Sequence, residues 1–242
     1  MRKYYYDFHL HSCLSPCADN EMTPGNIAGM AALAGLDMAA LTDHNTTRNC
    51  PAFFAAAEQY GIVPIAGAEL TTAEDIHMVC LFPDLAAAAA FDADLQQHRT
   101  LIPNRTDIFG DQLILDAKDK VTGTEPYLLS NATDIPVDAV PAYIAQFGGI
   151  CYPAHIDRQA NGILATLGAF PPELHFSCAE LADMAQAADL TVQHPVLKHK
   201  RLLFGSDAHY LWDLPDKAHF LELDAVPGSE SLQKQLLEWL KT

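Results

Sequence analysis

A chain of 242 residues that is half hydrophobic is long enough to bury one large α/β core, and a formal charge of −17, from 31 acidic against 14 basic side chains, argues against a basic groove for long nucleic acid. No run reaches the roughly 18 apolar residues of a membrane span, and the start lacks the basic-then-apolar layout of a signal peptide. Six dispersed cysteines (Cys13, Cys17, Cys50, Cys80, Cys151, Cys178) call for no disulfide framework in a chain of this size. A cytoplasmic protein with no membrane partner is expected, and its acidity suits cations. Cys13 and Cys17 are the one close pair; with no second pair to complete four ligands they read as ordinary thiols, though a place beside a metal stays open.

In chain order, residues 4–11 (YYYDFHLH) read as a strand, with Asp7, His9 and His11 on one face by period-two spacing. Thr23-Pro24 starts a helix, Thr as N-cap and Pro at the first helical position, running to Leu36. Residues 38–43 form the next strand, residues 51–60 a helix, and "IVPIAGAEL" a third strand. "HMVCLFP" is strand-like and an Ala-rich helix follows over 85–98. Residues 100–134 break the alternation and read as an insertion or hairpin, placed to cover a site. Beyond it come a helix over 137–147 and the strands "GICYPAH", "HFSCAEL", "RLLFGSDAH" and "FLEL". Ser229 then caps a last helix with Leu232, Leu236, Trp239 and Leu240 on one face. Alternating strands and helices predict βαβ units in one domain over 1–242.

The strand ends carry the chemistry. His9 and His11, then Asp43-His44, Glu69, His155, and Asp207 with His209 close separate apolar runs. In parallel α/β folds such ends gather on one face. So many imidazoles and carboxylates, without matching Lys or Arg, are self-repelling or unsatisfied when dry, and divalent ions remove both problems. Nitrogen and oxygen donors suit Zn, Mn or Fe.

The ordered segments "DFHLHS" (7–12), "TDH" (42–44), "AGAEL" (66–70), "HMVCLF" (77–82), "PAHIDR" (153–158) and "GSDAH" (205–209) resemble the PHP (polymerase and histidinol phosphatase) family of metal-dependent phosphoesterases. The resemblance implies a distorted (β/α)7 barrel with three divalent ions at the strand carboxyl ends. It implies that His9, His11, Glu69 and Asp207 hold the first ion, Glu69, His77 and His155 the second, and Asp19, His44 and His209 the third. Asp19 is chosen by its distance from Thr23-Pro24, with Cys17 and Asn20 as alternatives. His77 starts its apolar run, so the strand-end argument does not reach it. Asp7 and Asp43 are expected to accept from ligand imidazoles. Arg158, three residues after His155, stands where similar nucleotide-cleaving proteins carry a phosphate-binding arginine, and its planar fork matches two phosphate oxygens. Arg48 is a second, more structural candidate, and Glu180 is given a structural or supporting role. His98, His175, His194, His199 and His219 have no place in the pattern.

The implied reaction is hydrolysis of a phosphate ester of a small metabolite, nucleotide or short oligonucleotide by a metal-bridging hydroxide. Arg158, His209 and Asp207 are the expected catalytic residues, and His209, His44 or a metal-bound water remains open as the proton donor. A metal-dependent amidohydrolase and a non-catalytic, metal-loaded regulatory module are the competing readings. Amidohydrolases usually bring a carboxylated Lys in mid-chain, where Glu69 stands here.

Overall fold

Strand β1 (Arg2–Leu10) buries Tyr4, Tyr6 and Phe8 in one apolar cluster at alternate positions. The computed structural model describes residues 1–224 and 230–242. After β1 come α1 (Pro24–Leu33), β2 (Met38–Leu41), α2 (Cys50–Tyr60), β3 (Val63–Thr71), β4 (His77–Phe82) and α3 (Leu85–Leu95). The middle holds α4 (Thr106–Phe109), β5 (Leu113–Leu115), β6 (Val121–Thr124), α5 (Val140–Ala145), β7 (Ile150–Pro153) and α6 (Ile163–Leu167). The chain continues with β8 (Cys178–Leu181), α7 (Ala187–Gln193), β9 (Arg201–Phe204), β10 (Phe220–Leu223) and α8 (Glu230–Lys241).

Six strands form one sheet in the order β10-β1-β2-β3-β4-β7. Strands β1, β2 and β3 run parallel, while β4 lies antiparallel to both β3 and β7. Strands β8 and β9 form a separate parallel pair. The sheet curls so that the segment after β9 returns to β1: Ala208 bridges Leu10, and the Asp207 N–H donates to the His9 carbonyl at 3.0 Å. The architecture is mixed α/β, a half-barrel. Its ladders give six strands and a pair instead of a continuous seven, because β4 follows β3 across a turn with no helix between them.

Apolar side chains cover both faces. Met38 and Ala40 of β2 and Val79 and Leu81 of β4 join the β1 aromatics against Leu232, Leu236, Leu237 and Leu240 of α8. The alternate residues Ala39, Leu41, Met78, Cys80 and Phe82 pack on the other side, with Ile27 of α1 and Phe53 of α2. Thr23 caps α1 by accepting from the Asn26 N–H, with Pro24 at the first turn. The helix stops at Leu33, short of Leu36, because Gly35 turns the chain at φ +78°. The expected cap at Ser229 lies outside the described residues.

The insertion over 100–134 contains α4 and the β5–β6 hairpin. It is tied down at several points. Asn49 donates to the Leu113 carbonyl at 3.0 Å and accepts from the Leu115 N–H at 3.0 Å, and Asp119 accepts from Thr23 Oγ1 at 2.7 Å and the Gly25 N–H at 3.0 Å. Glu125 pairs with Arg48 at 2.5 Å and Arg99 at 3.4 Å. Arg48 therefore anchors the insertion.

Candidate metal centre

Glu69, near the end of β3, stands at the middle of a ring of imidazoles. Its Oε1 lies 2.8 Å from His77 Nδ1, 3.1 Å from His9 Nε2 and 3.1 Å from His155 Nε2. Its Oε2 lies 2.9 Å from His44 Nδ1 and 3.4 Å from His11 Nε2. Asp207 Oδ1 closes the group from the far side, 3.0 Å from His11 Nε2 and 3.4 Å from His9 Nε2. All of these residues except the half-buried His77 and Asp207 are buried. His209 stacks on His11 with ring centroids 4.2 Å apart.

Strand direction explains the convergence. Residues at the ends of β1, β2 and β3 share one rim because those strands are parallel. His77 joins them from the start of β4, because an antiparallel strand begins where its neighbour ends: His77 pairs with Thr71. Strand β7 turns back again, so its end carries His155 to the same rim. His155 and Asp207 hold positive φ, +26° and +54°, uncommon and costly values for non-glycine residues. Asn45, just after His44, sits at +49°, and its side chain donates to the Leu129 carbonyl at 2.7 Å and accepts from the Thr71 N–H at 3.0 Å.

Supporting carboxylates differ in part from expectation. Asp7 accepts from the backbone N–H groups of His9 (3.1 Å) and Ser206 (3.2 Å), not from a ligand imidazole. Burial pushes its carboxyl up to about 7. Asp43 accepts from Ser15 Oγ at 2.7 Å, and that hydroxyl meets His11 Nδ1 at 2.9 Å, so Asp43 orients His11 through a serine. Glu180 does what was expected of Asp7: its Oε1 lies 2.7 Å from His9 Nδ1 and also accepts from the His155 N–H at 3.1 Å. Gly205 makes room for it, since a Cβ there would lie 2.2 Å from Glu180 Oε2.

The donor set fits cations. His44 Nδ1, Glu69 Oε2, His155 Nδ1 and Asp207 Oδ1 are buried without a hydrogen bond of good geometry, although Glu69 Oε2 and Asp207 Oδ1 have imidazole nitrogens within ion-pair range, an arrangement that costs free energy unless something positive sits among them. Three groupings place one ligand atom each within 4.8 Å of the others: His9, His11, Glu69 and Asp207; His44, Glu69 and His77; and His11, His44 and His209. The first has the composition expected for the first ion. In the metal-free protein the acids and imidazoles share protons. Burial disfavours charge on all of them, but facing partners hold Glu69 and Asp207 well below the usual carboxylate range and lift His9 and His44 well above the histidine range. His77 is lowered, because desolvation there outweighs the pull of Glu69.

Asp19 does not join. Its carboxylate caps the loop by accepting from the Glu21 N–H at 2.8 Å. Cys17 stands at the cluster instead, with Sγ 3.2 Å from His44 Nε2. Cys17 is exposed at the rim; partial desolvation of the thiol raises it, and the neighbouring imidazoles of His44 and His209 reverse the effect to hold it at about 5.

A cavity of about 380 Å³ opens over the cluster, lined by Cys17, His44, Glu69, His77, Ser130, His155, Arg158, Ala160, Asn161, Asp207 and His209. Arg158 is its cationic member, 43% exposed, pairing through Nη1 with Asp207 Oδ2 and through Nη2 with the Ser206 carbonyl at 3.4 Å. Ser130 is the insertion's contribution to the wall. The irregular composition of 100–134 left no signal for it.

A family model of the PHP domain matches residues 7–129, half of the chain. The fold is similar to that of a lesion-specific endonuclease from Pyrococcus furiosus, with a TM-score of 0.67 and 16% identity over 99% of this chain. The chain spans 56% of that protein's length. It is also similar to an amidohydrolase from Chromobacterium violaceum with bound sulfate (TM-score 0.58, 20% identity, 90% of this chain and 92% of the other). A third similar structure is assigned as a metal-dependent phosphoesterase from Bifidobacterium adolescentis (TM-score 0.52, 16% identity, 96% and 95% covered). No curated protein matches the sequence. Among the described residues no helix is long and apolar enough to cross a membrane.

Proposed function

Because the chain belongs to the PHP domain family and gathers an imidazole–carboxylate cluster beneath an open cavity, we propose that it is a metal-dependent hydrolase of phosphate esters. The observation that carries the choice of bond is Arg158. A half-exposed guanidinium on the rim of an otherwise acidic and imidazole-lined cavity supplies the one feature that an anionic substrate needs and an amide does not.

His9, His11, Glu69 and Asp207 would hold a first ion. Glu69 and His77 would hold a second with His155, whose Nε2 lies 3.1 Å from Glu69 Oε1, though the convergent grouping pairs them with His44. His44 and His209, grouped with His11, would stand at a third. Zn, Mn or Fe suits these donors. Bound there, such ions would polarise a phosphoryl oxygen and lower the pKa of water. The chain's own contribution is positional. Glu180 and Ser15 fix the tautomers of His9 and His11 by occupying their Nδ1 atoms. His209 Nδ1 donates to the Asp207 carbonyl at 2.8 Å, so its Nε2 is free to face a ligand. Asp207 couples the centre to Arg158, whose Nη2 holds the Ser206 carbonyl at 3.4 Å and whose Nε would be available to a phosphoryl oxygen, with Nη2 joining it on release from that carbonyl.

A cavity of about 380 Å³ and a charge of −17 favour a phosphorylated metabolite, a nucleotide or a short oligonucleotide end. The similar Pyrococcus protein is an endonuclease, which keeps nucleic acid within the substrate class. Phosphate release should be measured with Mn²⁺ or Zn²⁺ over phosphomonoesters, nucleoside bisphosphates, cyclic diesters and short oligonucleotides, with His9→Ala as control. Turnover lost in that variant supports the reading. Silence across the panel with metal bound overturns it and returns weight to an amide substrate.

A further inference from the structure

The third metal position lacks a donor if only the expected residues are counted. His11 Nε2 is committed to the first group by its 3.0 Å approach to Asp207 Oδ1 and its 3.4 Å approach to Glu69 Oε2. Asp19 caps its own loop. That leaves the imidazoles of His44 and His209, two nitrogens where a catalytic zinc position usually has three protein ligands and one open site. Cys17 Sγ lies 3.2 Å from His44 Nε2, interacts with His209 and lines the same cavity.

We propose that Cys17 is a thiolate ligand and completes, with His44 and His209, a third metal position of two nitrogens and one sulfur that selects zinc over manganese. Two observations besides the cysteine point to a ligand there. His44, more than nine-tenths buried, turns Nδ1 to Glu69 Oε2 at 2.9 Å and Nε2 to the Cys17 sulfur at 3.2 Å, and its ring belongs to the convergent grouping of His11, His44 and His209, of which His11 serves the first position. Two imidazoles and a thiol at one wall of a cavity are a donor set suited to zinc.

Loop geometry delivers the sulfur. The turns in which the Ser15 N–H donates to the Ser12 carbonyl (2.9 Å) and the Ala18 N–H to the Ser15 carbonyl (3.0 Å) carry the chain over the rim, and the Asp19 N–H donates to the His209 carbonyl at 3.0 Å. That last bond holds Cys17 against His209. The other five cysteines are not in the cavity wall. Soft thiolate with imidazole favours Zn²⁺, whereas Mn²⁺ prefers oxygen donors. The consequence is unequal positions: one that is zinc-selective, beside two of nitrogen and oxygen that admit several ions.

This inference rests on the metal-hydrolase reading, but its test does not depend on turnover. Chelator-stripped full-length protein is titrated with Co²⁺ and followed in the near ultraviolet, where only a coordinated thiolate gives an intense charge-transfer band. Wild type should develop the band. Cys17→Ser should lose it, and Cys17→Asp should bind as much Co²⁺ without it while accepting Mn²⁺ in place of Zn²⁺. Bound Co²⁺ with no band in wild type, or a band that survives in Cys17→Ser, overturns the proposal. Should the variants fail to fold, wild type alone decides: Zn²⁺ should slow alkylation of Cys17, mapped by peptide mass, by about tenfold or more, since coordination ties up the nucleophilic thiolate. Unchanged alkylation with zinc bound overturns the assignment. A silent phosphate panel with the band intact would instead remove the phosphoester reading and leave Cys17 a ligand.

Discussion

Glu180 and His9 meet at 2.7 Å across 171 residues of sequence, and the same carboxylate oxygen accepts from the His155 N–H. One buried acid thus orients the His9 ring on the first strand and fixes the backbone of His155 after β7. Removing it frees His9 to rotate. Glu180→Ala should weaken metal binding by about 10–100-fold, read by competition with a chelating dye. Gly205→Ala, which drives a Cβ into that carboxylate, should move affinity in the same direction.

Arg158 should separate binding from metal content. Its fork holds Asp207 through Nη1 and the Ser206 carbonyl through Nη2, and its side chain lines the cavity. A charged hydrogen bond contributes about 1.5–3 kcal/mol, so Arg158→Ala should raise KM by about 10–100-fold while bound metal stays at the wild-type ratio. Lysine should restore only part, because it lacks the fork. An unchanged KM would take Arg158 out of substrate binding.

Metal removal should reverse the pH dependence of stability. In the stripped protein His9 holds its proton more tightly than the ordinary value of 6.5, since Glu180, Glu69 and Asp207 outweigh the opposing effect of burial, and His44 is raised likewise. Groups raised on folding give their full stabilisation below 6.5 and lose it as pH rises through the folded values. The Tm of stripped protein should therefore fall above neutral pH. Metal binding displaces those protons and strengthens as they leave. The Tm gap between loaded and stripped protein should widen with pH, as differential scanning calorimetry would show.

How much of the centre is legible in the sequence depends on strand direction. His9, His11, His44, Glu69, His155, Asp207 and His209 each close an apolar run, and a parallel sheet is enough to predict that they meet. His77 is not reachable that way, because nothing in "HMVCLF" announces that β4 runs backwards; the pairing of His77 with Thr71 does. Asp19 and Cys17 differ for another reason. Spacing from Thr23-Pro24 measures contour length, while the turns between Ser12 and Ala18 decide which side chain faces His44. The end of "HFSCAEL" is enough to give Glu180 a structural or supporting role, and only the fold shows that the ring it supports is His9, 171 residues away. The seven-strand count rests on family likeness, and the ladders, a six-stranded sheet with the separate pairs β5–β6 and β8–β9, do not confirm it.

The insertion should prove structural before it proves mobile, and Glu125 tests this. Its side chain, 4% exposed, faces Arg99 at 3.4 Å, itself 3% exposed, and Arg48 at 2.5 Å. Oε1 also accepts from the Tyr127 N–H at 3.1 Å. Removing one partner of a buried pair leaves an uncompensated charge and costs about 3–5 kcal/mol. Glu125→Ala should lower the unfolding free energy by that amount, read as a lower urea midpoint at constant slope, and open 100–134 to proteolysis. The double variant Glu125→Met, Arg99→Met removes both buried charges and keeps the volume. It should regain most of the loss if the single variant fails through an orphaned guanidinium, and little if packing around Glu125 is what holds the hairpin.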